Sequence, residues 1–185
     1  MLPVRLFLVA VSLLSAMVLP EKKAFVVITG NKVTVAAGTS LGDINCAYTS
    51  SSQKDTLYLN RQVPREERLR LAIPVKDFNC GNILLDRDFE KALNASKHPY
   101  TKIEVVCLRQ EGKGYKGNLN LMVGGKTIPL QNVSFYTCAG KGVSNLKSNI
   151  CLNFSEIGLA SPKKMGGLFK VEDELQVTVE LQVVE

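Results

Sequence analysis

Five cysteines offer the richest chemistry in this 185-residue chain: Cys46, Cys80, Cys107, Cys138 and Cys151. They contain no CxxC pair, and a single histidine, His98, rules out a multi-histidine site, so no metal is expected. In an oxidising compartment they would pair, and an odd count leaves at least one thiol over. His98 is the sole imidazole base. It stands beside Pro99 after a helical pattern, where it reads as a surface cap. Ser96 is near it in sequence, but neither residue has an evident orienting partner. Asp86, Asp88 and Glu90 could serve as paired carboxylates, yet acidic residues at the start of a helix need no catalytic explanation. Gly112, Gly114 and Gly117 lack the strand-to-helix context of a phosphate loop. Asn94, Asn132 and Asn153 each open an N-x-S glycosylation sequon. No catalytic constellation assembles, so no enzyme is expected. The rival reading is a thiol nucleophile, Cys107 or the leftover cysteine, which would require an exposed sulfur with a lowered pKa.

The N-terminus sets the compartment. Met1 to Arg5 carries one positive charge, Leu6 to Leu19 is apolar or small, and Pro20-Glu21-Lys22-Lys23 closes the run. These are the parts of a secretory signal peptide, expected over residues 1–20, followed by one folded domain over residues 24–185. The alternative is a membrane anchor, but the run falls short of the roughly 20 residues that span a bilayer. The expectation is therefore a periplasmic or secreted protein with no integral span after processing. The net charge is +6, from 23 basic and 17 acidic residues, and only Arg5 lies in residues 1–20. The charges are mixed, as in Arg65-Glu66-Glu67-Arg68-Leu69-Arg70, with no basic stripe interleaved with aromatics, so nucleic acid is not an expected partner.

The elements that must position these residues are mostly strands. Leu175, Val177, Val179, Leu181 and Val183 alternate with polar residues, as do Leu69, Leu71, Ile73 and Val75. Shorter alternations include Val33 and Val35; Ile44, Cys46 and Tyr48; Ile103, Val105 and Cys107; Leu119, Leu121 and Val123; and Ile150, Leu152 and Phe154. Turn chemistry separates them at Thr29-Gly30-Asn31, Ser50-Ser51-Ser52, Glu111-Gly112-Lys113-Gly114 and Gly124-Gly125. Between Asp86 and Ser96 the period changes: Phe89, Ala92 and Leu93 fall on one face of a helix of about ten residues, stopped by Pro99. Such a chain is all-β, antiparallel, and must stack two sheets or close a barrel. A barrel suits the long helical connection, which would lie across its mouth.

This layout gives the cysteines an expected pairing. If Phe135 and Phe154 face inward on neighbouring antiparallel strands, Thr137 opposes Leu152 and Cys138 opposes Cys151 across a loop from Ala139 to Ile150. Such a bridge would contribute about 3 kcal/mol. Cys46 and Cys80 form a second, less favoured candidate pair, and Cys107 alternates with the inward set as a buried free thiol.

Three stretches resemble the YceI-like family of exported, lipocalin-like proteins associated with polyisoprenoid binding. The first runs from Asn31-Lys32-Val33-Thr34-Val35 through Gly38-Thr39-Ser40 to Ile44-Asn45-Cys46. The second is Ile73-Pro74-Val75-Lys76-Asp77-Phe78-Asn79-Cys80-Gly81-Asn82, then Arg87-Asp88-Phe89, Ala92-Leu93 and Lys97-His98-Pro99. The third is Pro162 with Gly166-Gly167-Leu168-Phe169-Lys170-Val171-Glu172-Asp173-Glu174. With Gly117-Asn118-Leu119 between them, the order matches the cysteine-containing variety of the family. Two positions depart from its pattern: Val123-Gly124-Gly125-Lys126 replaces Gly-Val-Thr-Lys, and His98 stands where tyrosine is usual.

The resemblance implies an eight-stranded or slightly larger lipocalin-like β-barrel, one short helix in a crossing loop, and an elongated apolar tunnel for an isoprenoid, such as a quinone tail or polyprenyl lipid. No cofactor is required. The implied wall is Leu71, Ile73, Ile103, Val105, Leu119, Leu121, Phe135, Phe154, Val177 and Val179, each of which could equally be plain core. Phe89 and Leu93 on the helix and Met165, Leu168 and Phe169 on the glycine-flanked loop are candidate mouth residues. The expected function is a binding protein for a hydrophobic small molecule or lipid. The alternative is a non-enzymatic interaction barrel whose core is filled by its own side chains.

Overall fold

The computed structural model describes residues 25–40, 42–51, 54–139, 144–159, 163–164 and 169–184. The expected signal peptide lies outside them. Ten strands follow in chain order: β1 (Phe25–Thr39), β2 (Ile44–Ser50), β3 (Asp55–Tyr58), β4 (Arg70–Pro74), β5 (Tyr100–Glu111), β6 (Gly114–Val123), β7 (Lys126–Ala139), β8 (Ser144–Asn153), β9 (Lys163–Lys164) and β10 (Phe169–Val184). Eight of them form one antiparallel path, β2-β1-β10-β8-β7-β6-β5-β4, while β3 pairs with β1 and the short β9 with β10. The helix α1 (Ile83–Ala92) lies in the connection from β4 to β5. This is the all-β, nearly closed eight-stranded barrel with one short helix that the alternation and the resemblance implied.

Alternation builds the interior. Leu175, Val177, Val179, Leu181 and Val183 are all buried on β10, and Leu69, Leu71, Ile73 and Val75 are each 1% exposed at β4. The path ends at β2 and β4, so the barrel has a seam between them. Near α1 the seam is closed by Ala47 and Asn79, which exchange two backbone hydrogen bonds of 2.9 Å. At the far end β3 continues into Asn60, whose N–H donates to the Leu108 carbonyl (2.8 Å) and whose Oδ1 accepts from the Gln110 N–H (2.7 Å).

Three expectations about the cysteines and the helix are corrected. Cys46 and Cys80 are the disulfide, with Cα atoms 4.0 Å apart, while Cys138 and Cys151 are free. The Ala47–Asn79 bridge sets Cys46 and Cys80 opposite each other across the seam. Cys138 instead faces Asn145, and Cys151 faces Gln176 on β10. The expected β7–β8 register is off by six residues, an even number. Because side chains alternate with period two, an even slip leaves every residue on its expected face, and the pattern cannot detect it. The observed pairing needs only residues 140–143 to connect β7 and β8, a shorter loop to close than the twelve residues expected.

Cys107 is half-buried rather than buried. A bulge between Val105 and Cys107 moves the inward position to Leu108, which is fully buried. The helix begins at Ile83, ahead of Asp86, because Asn82 caps it: its Oδ1 accepts from the Leu84 and Leu85 N–H groups at 3.0 Å each. Asp86 has a structural use, accepting the Cys80 N–H at 2.7 Å and so tying the helix to the disulfide.

Candidate functional site

The barrel interior divides into two halves. At the end covered by α1 it holds a cavity of about 290 Å³. Towards the other end side chains pack together: Ile28, Leu108, Val179 and Leu181 are at most 1% exposed, and none of them borders the cavity.

The cavity wall comes from alternating residues of six strands and one helix face. Strand β1 contributes Val33, Val35 and Ala37; β2 contributes Ile44 and Cys46; β5 and β6 contribute Ile103, Leu121 and Val123. Leu152 lies at the end of β8, Phe154 and Ile157 follow it, and β10 supplies Val171, Leu175 and Val177. The helix lies over this wall through Leu85, Asp88, Phe89 and Ala92, with Leu93 after it. The spacing of Leu85, Phe89 and Ala92 is one face of a 3.6-residue helix. Phe89 packs against Phe78 with the rings tilted at 49° and their centroids 5.0 Å apart, and the Phe78 ring in turn lies 5.9 Å from that of Tyr48. The disulfide therefore closes the barrel beside the cavity, since Cys46 is also part of its wall.

Polar groups are few. Asp43 and Asp88 are the charged residues at the wall, and Thr39 and Thr101 are the hydroxyl-bearing ones. Thr101 is 9% exposed, and its Oγ1 has no hydrogen-bond partner. That oxygen is sealed from the cavity as well as from solvent, and leaving a buried hydroxyl unpaired costs about 1–3 kcal/mol.

Of the interior residues expected to contact a ligand, Phe89, Ile103, Leu121, Phe154 and Val177 border the cavity. Leu71, Ile73, Val105, Leu119, Phe135 and Val179 are buried in the barrel but outside its cavity wall. Leu93 borders the cavity, Met165, Leu168 and Gly166-Gly167 lie outside the described residues, and only the backbone of Phe169 is described. The sequence reading did not assign Val33, Val35, Leu85, Leu152, Val171 and Leu175 to the site. Leu85 was within reach, four residues before Phe89. The strand residues were visible as inward-facing, but alternation does not say how deep along the barrel each one sits.

His98 is not part of the cavity wall. It lies against the β6–β7 turn, where Gly125 has φ of +81° and a Cβ would collide with the imidazole. The two departures from the family pattern thus touch each other. Among the described residues the one buried charged side chain, Glu104, lies outside the cavity. Glu104 is 3% exposed and accepts from Arg70 Nε (2.9 Å), Asn120 Nδ2 (2.9 Å) and Arg68 Nη1 (3.3 Å). Burial pushes its pKa up, but these three donors outweigh that and hold the carboxyl below its ordinary range. Among the described residues no group of three or more His, Cys, Asp or Glu could hold a metal, and no helix is long and apolar enough to cross a membrane.

No protein-family model and no curated protein matches the chain. Solved structures do. BcnA of Burkholderia cenocepacia superposes with a TM-score of 0.62 at 15% identity, covering 84% of this chain and 96% of that one. A polyisoprenoid binding domain from Saccharophagus degradans, implicated in plant cell wall breakdown, gives 0.61 at 8% identity, covering 87% and 98%. The YceI protein of Campylobacter jejuni gives 0.50 at 16% identity, covering 64% and 72%. At these identities the shared property is the fold, an antiparallel barrel of the YceI type.

Proposed function

We propose that this is an exported, non-enzymatic binding protein that holds a hydrophobic ligand of isoprenoid type in the helix-covered half of its barrel. The carrying observation is the cavity of about 290 Å³ with an almost wholly apolar wall. That is close to the lower end of the roughly 300–1,000 Å³ usual for small-molecule sites. The gain from burying an apolar chain there is about 25 cal/mol per Å² before ordering costs, so binding needs little polar recognition. The isoprenoid class is supported by the fold shared with a protein described as a polyisoprenoid binding domain. Export over residues 1–20 is supported by the Cys46–Cys80 disulfide, a bond that persists in oxidising compartments.

The test is native mass spectrometry, with organic extraction, of protein purified from its own host. A co-purifying prenyl compound is the expected result. Protein that carries nothing and also fails to take up added farnesol would remove the reading. It would then favour an interaction barrel acting through its outer face, which the close packing of the far half already suits.

A further inference from the structure

We propose that the site is a short-chain site, accepting a prenyl compound of about two to three isoprene units and excluding the length of a long polyisoprenoid. This rests on the ligand-binding reading above and names the ligand's size class. A dry cavity of about 150 Å³ accepts benzene, with six carbons. By that measure 290 Å³ takes about a dozen carbons.

The depth is limited by a floor of side chains. Ile103, Leu121 and Val177 are the deepest wall residues on their strands; two positions farther along the same faces stand Val105, Leu119 and Val179. These are 4%, 1% and 1% exposed and do not border the cavity. Interiors are packed to crystal-like density, so a longer chain cannot pass this layer without displacing it.

The experiment is displacement of a fluorescent naphthylamine probe from the full folded protein by geraniol, farnesol and geranylgeraniol, with two, three and four isoprene units. Affinity should rise about ten-fold or more from geraniol to farnesol, as five further carbons are buried. From farnesol to geranylgeraniol it should change by less than about three-fold. A second ten-fold gain at geranylgeraniol overturns the floor while leaving the binding reading intact. Failure of all three alcohols to displace the probe or bind removes both.

Two variants locate the limit. Val177→Phe fills space above the floor and should abolish the gain from geraniol to farnesol. Leu119→Ala opens the floor and should give geranylgeraniol a gain of its own; if it does not fold, Val177→Phe still decides.

Discussion

Glu104 is a carboxylate buried on the outer side of the barrel and held by Arg68, Arg70 and Asn120. Its lowered pKa makes it a stabilising group at neutral pH. That contribution is complete above the ordinary glutamate value of about 4.3 and is lost as pH falls through the lower folded-state value. Glu104→Gln should therefore cost about 1–3 kcal/mol at pH 7 and reduce the difference between wild type and variant as acid is added. Thermal melts of both proteins between neutral and strongly acid pH check this; parallel curves would contradict it. Cys151 is the exposed thiol. Partial desolvation, followed by the neighbouring Glu174 carboxylate, raises its pKa, the opposite of what a nucleophile needs. Peptide-resolved alkylation with iodoacetamide should find Cys151 slower than free cysteine at neutral pH, and Glu174→Gln should speed it. Rapid alkylation of Cys151 in the wild type would revive the thiol-enzyme reading.

At the scale of elements, the weak place is the seam between β2 and β4. One backbone bridge and one disulfide join it near the helix, and Asp86 fastens α1 to the same spot through the Cys80 N–H. The disulfide closes 34 residues of chain, for which loop-entropy arguments give about 4 kcal/mol. Replacing both cysteines, as Cys46→Ala with Cys80→Ala, should lower stability by about that amount. It should also increase hydrogen exchange across residues 79–92, because the helix loses the anchor that holds its face over the cavity. Exchange rising uniformly over the whole barrel would mean that the bond stabilises the fold without organising the seam.

The whole molecule combines a packed half with a half that has room. Stability concentrates where Ile28, Leu69, Leu108 and Leu181 are sealed from solvent, and binding is proposed where shorter side chains such as Val33, Val35 and Ala37 leave space under α1. Val177→Glu or Leu121→Arg places a charge in the apolar wall and should abolish uptake of farnesol, since burying an unpaired charge is very costly. A folded variant of either kind that bound as well as wild type would mean that the ligand sits elsewhere. Circular dichroism alongside the binding assay separates loss of the site from loss of the barrel.

Local chemistry written along the chain was enough for the elements. The alternation in β10 and β4 marked their dry faces, the spacing of Phe89, Ala92 and Leu93 marked a helix, and both follow from periods that each segment carries by itself. Where one segment meets another was not legible in the same way. An even slip in β7–β8 register preserves the pattern, so alternation could not reject the favoured Cys138–Cys151 bridge, and the Cys46–Cys80 bond depends on a seam contact that it does not encode. The bulge that moved Cys107 out of the inward set breaks the period without a local signal. Nor does alternation carry depth. Val177 and Val179 read identically in the chain, and only the closed barrel sets one beside a cavity and the other in its floor, because depth depends on strand stagger and on the volumes brought from all sides.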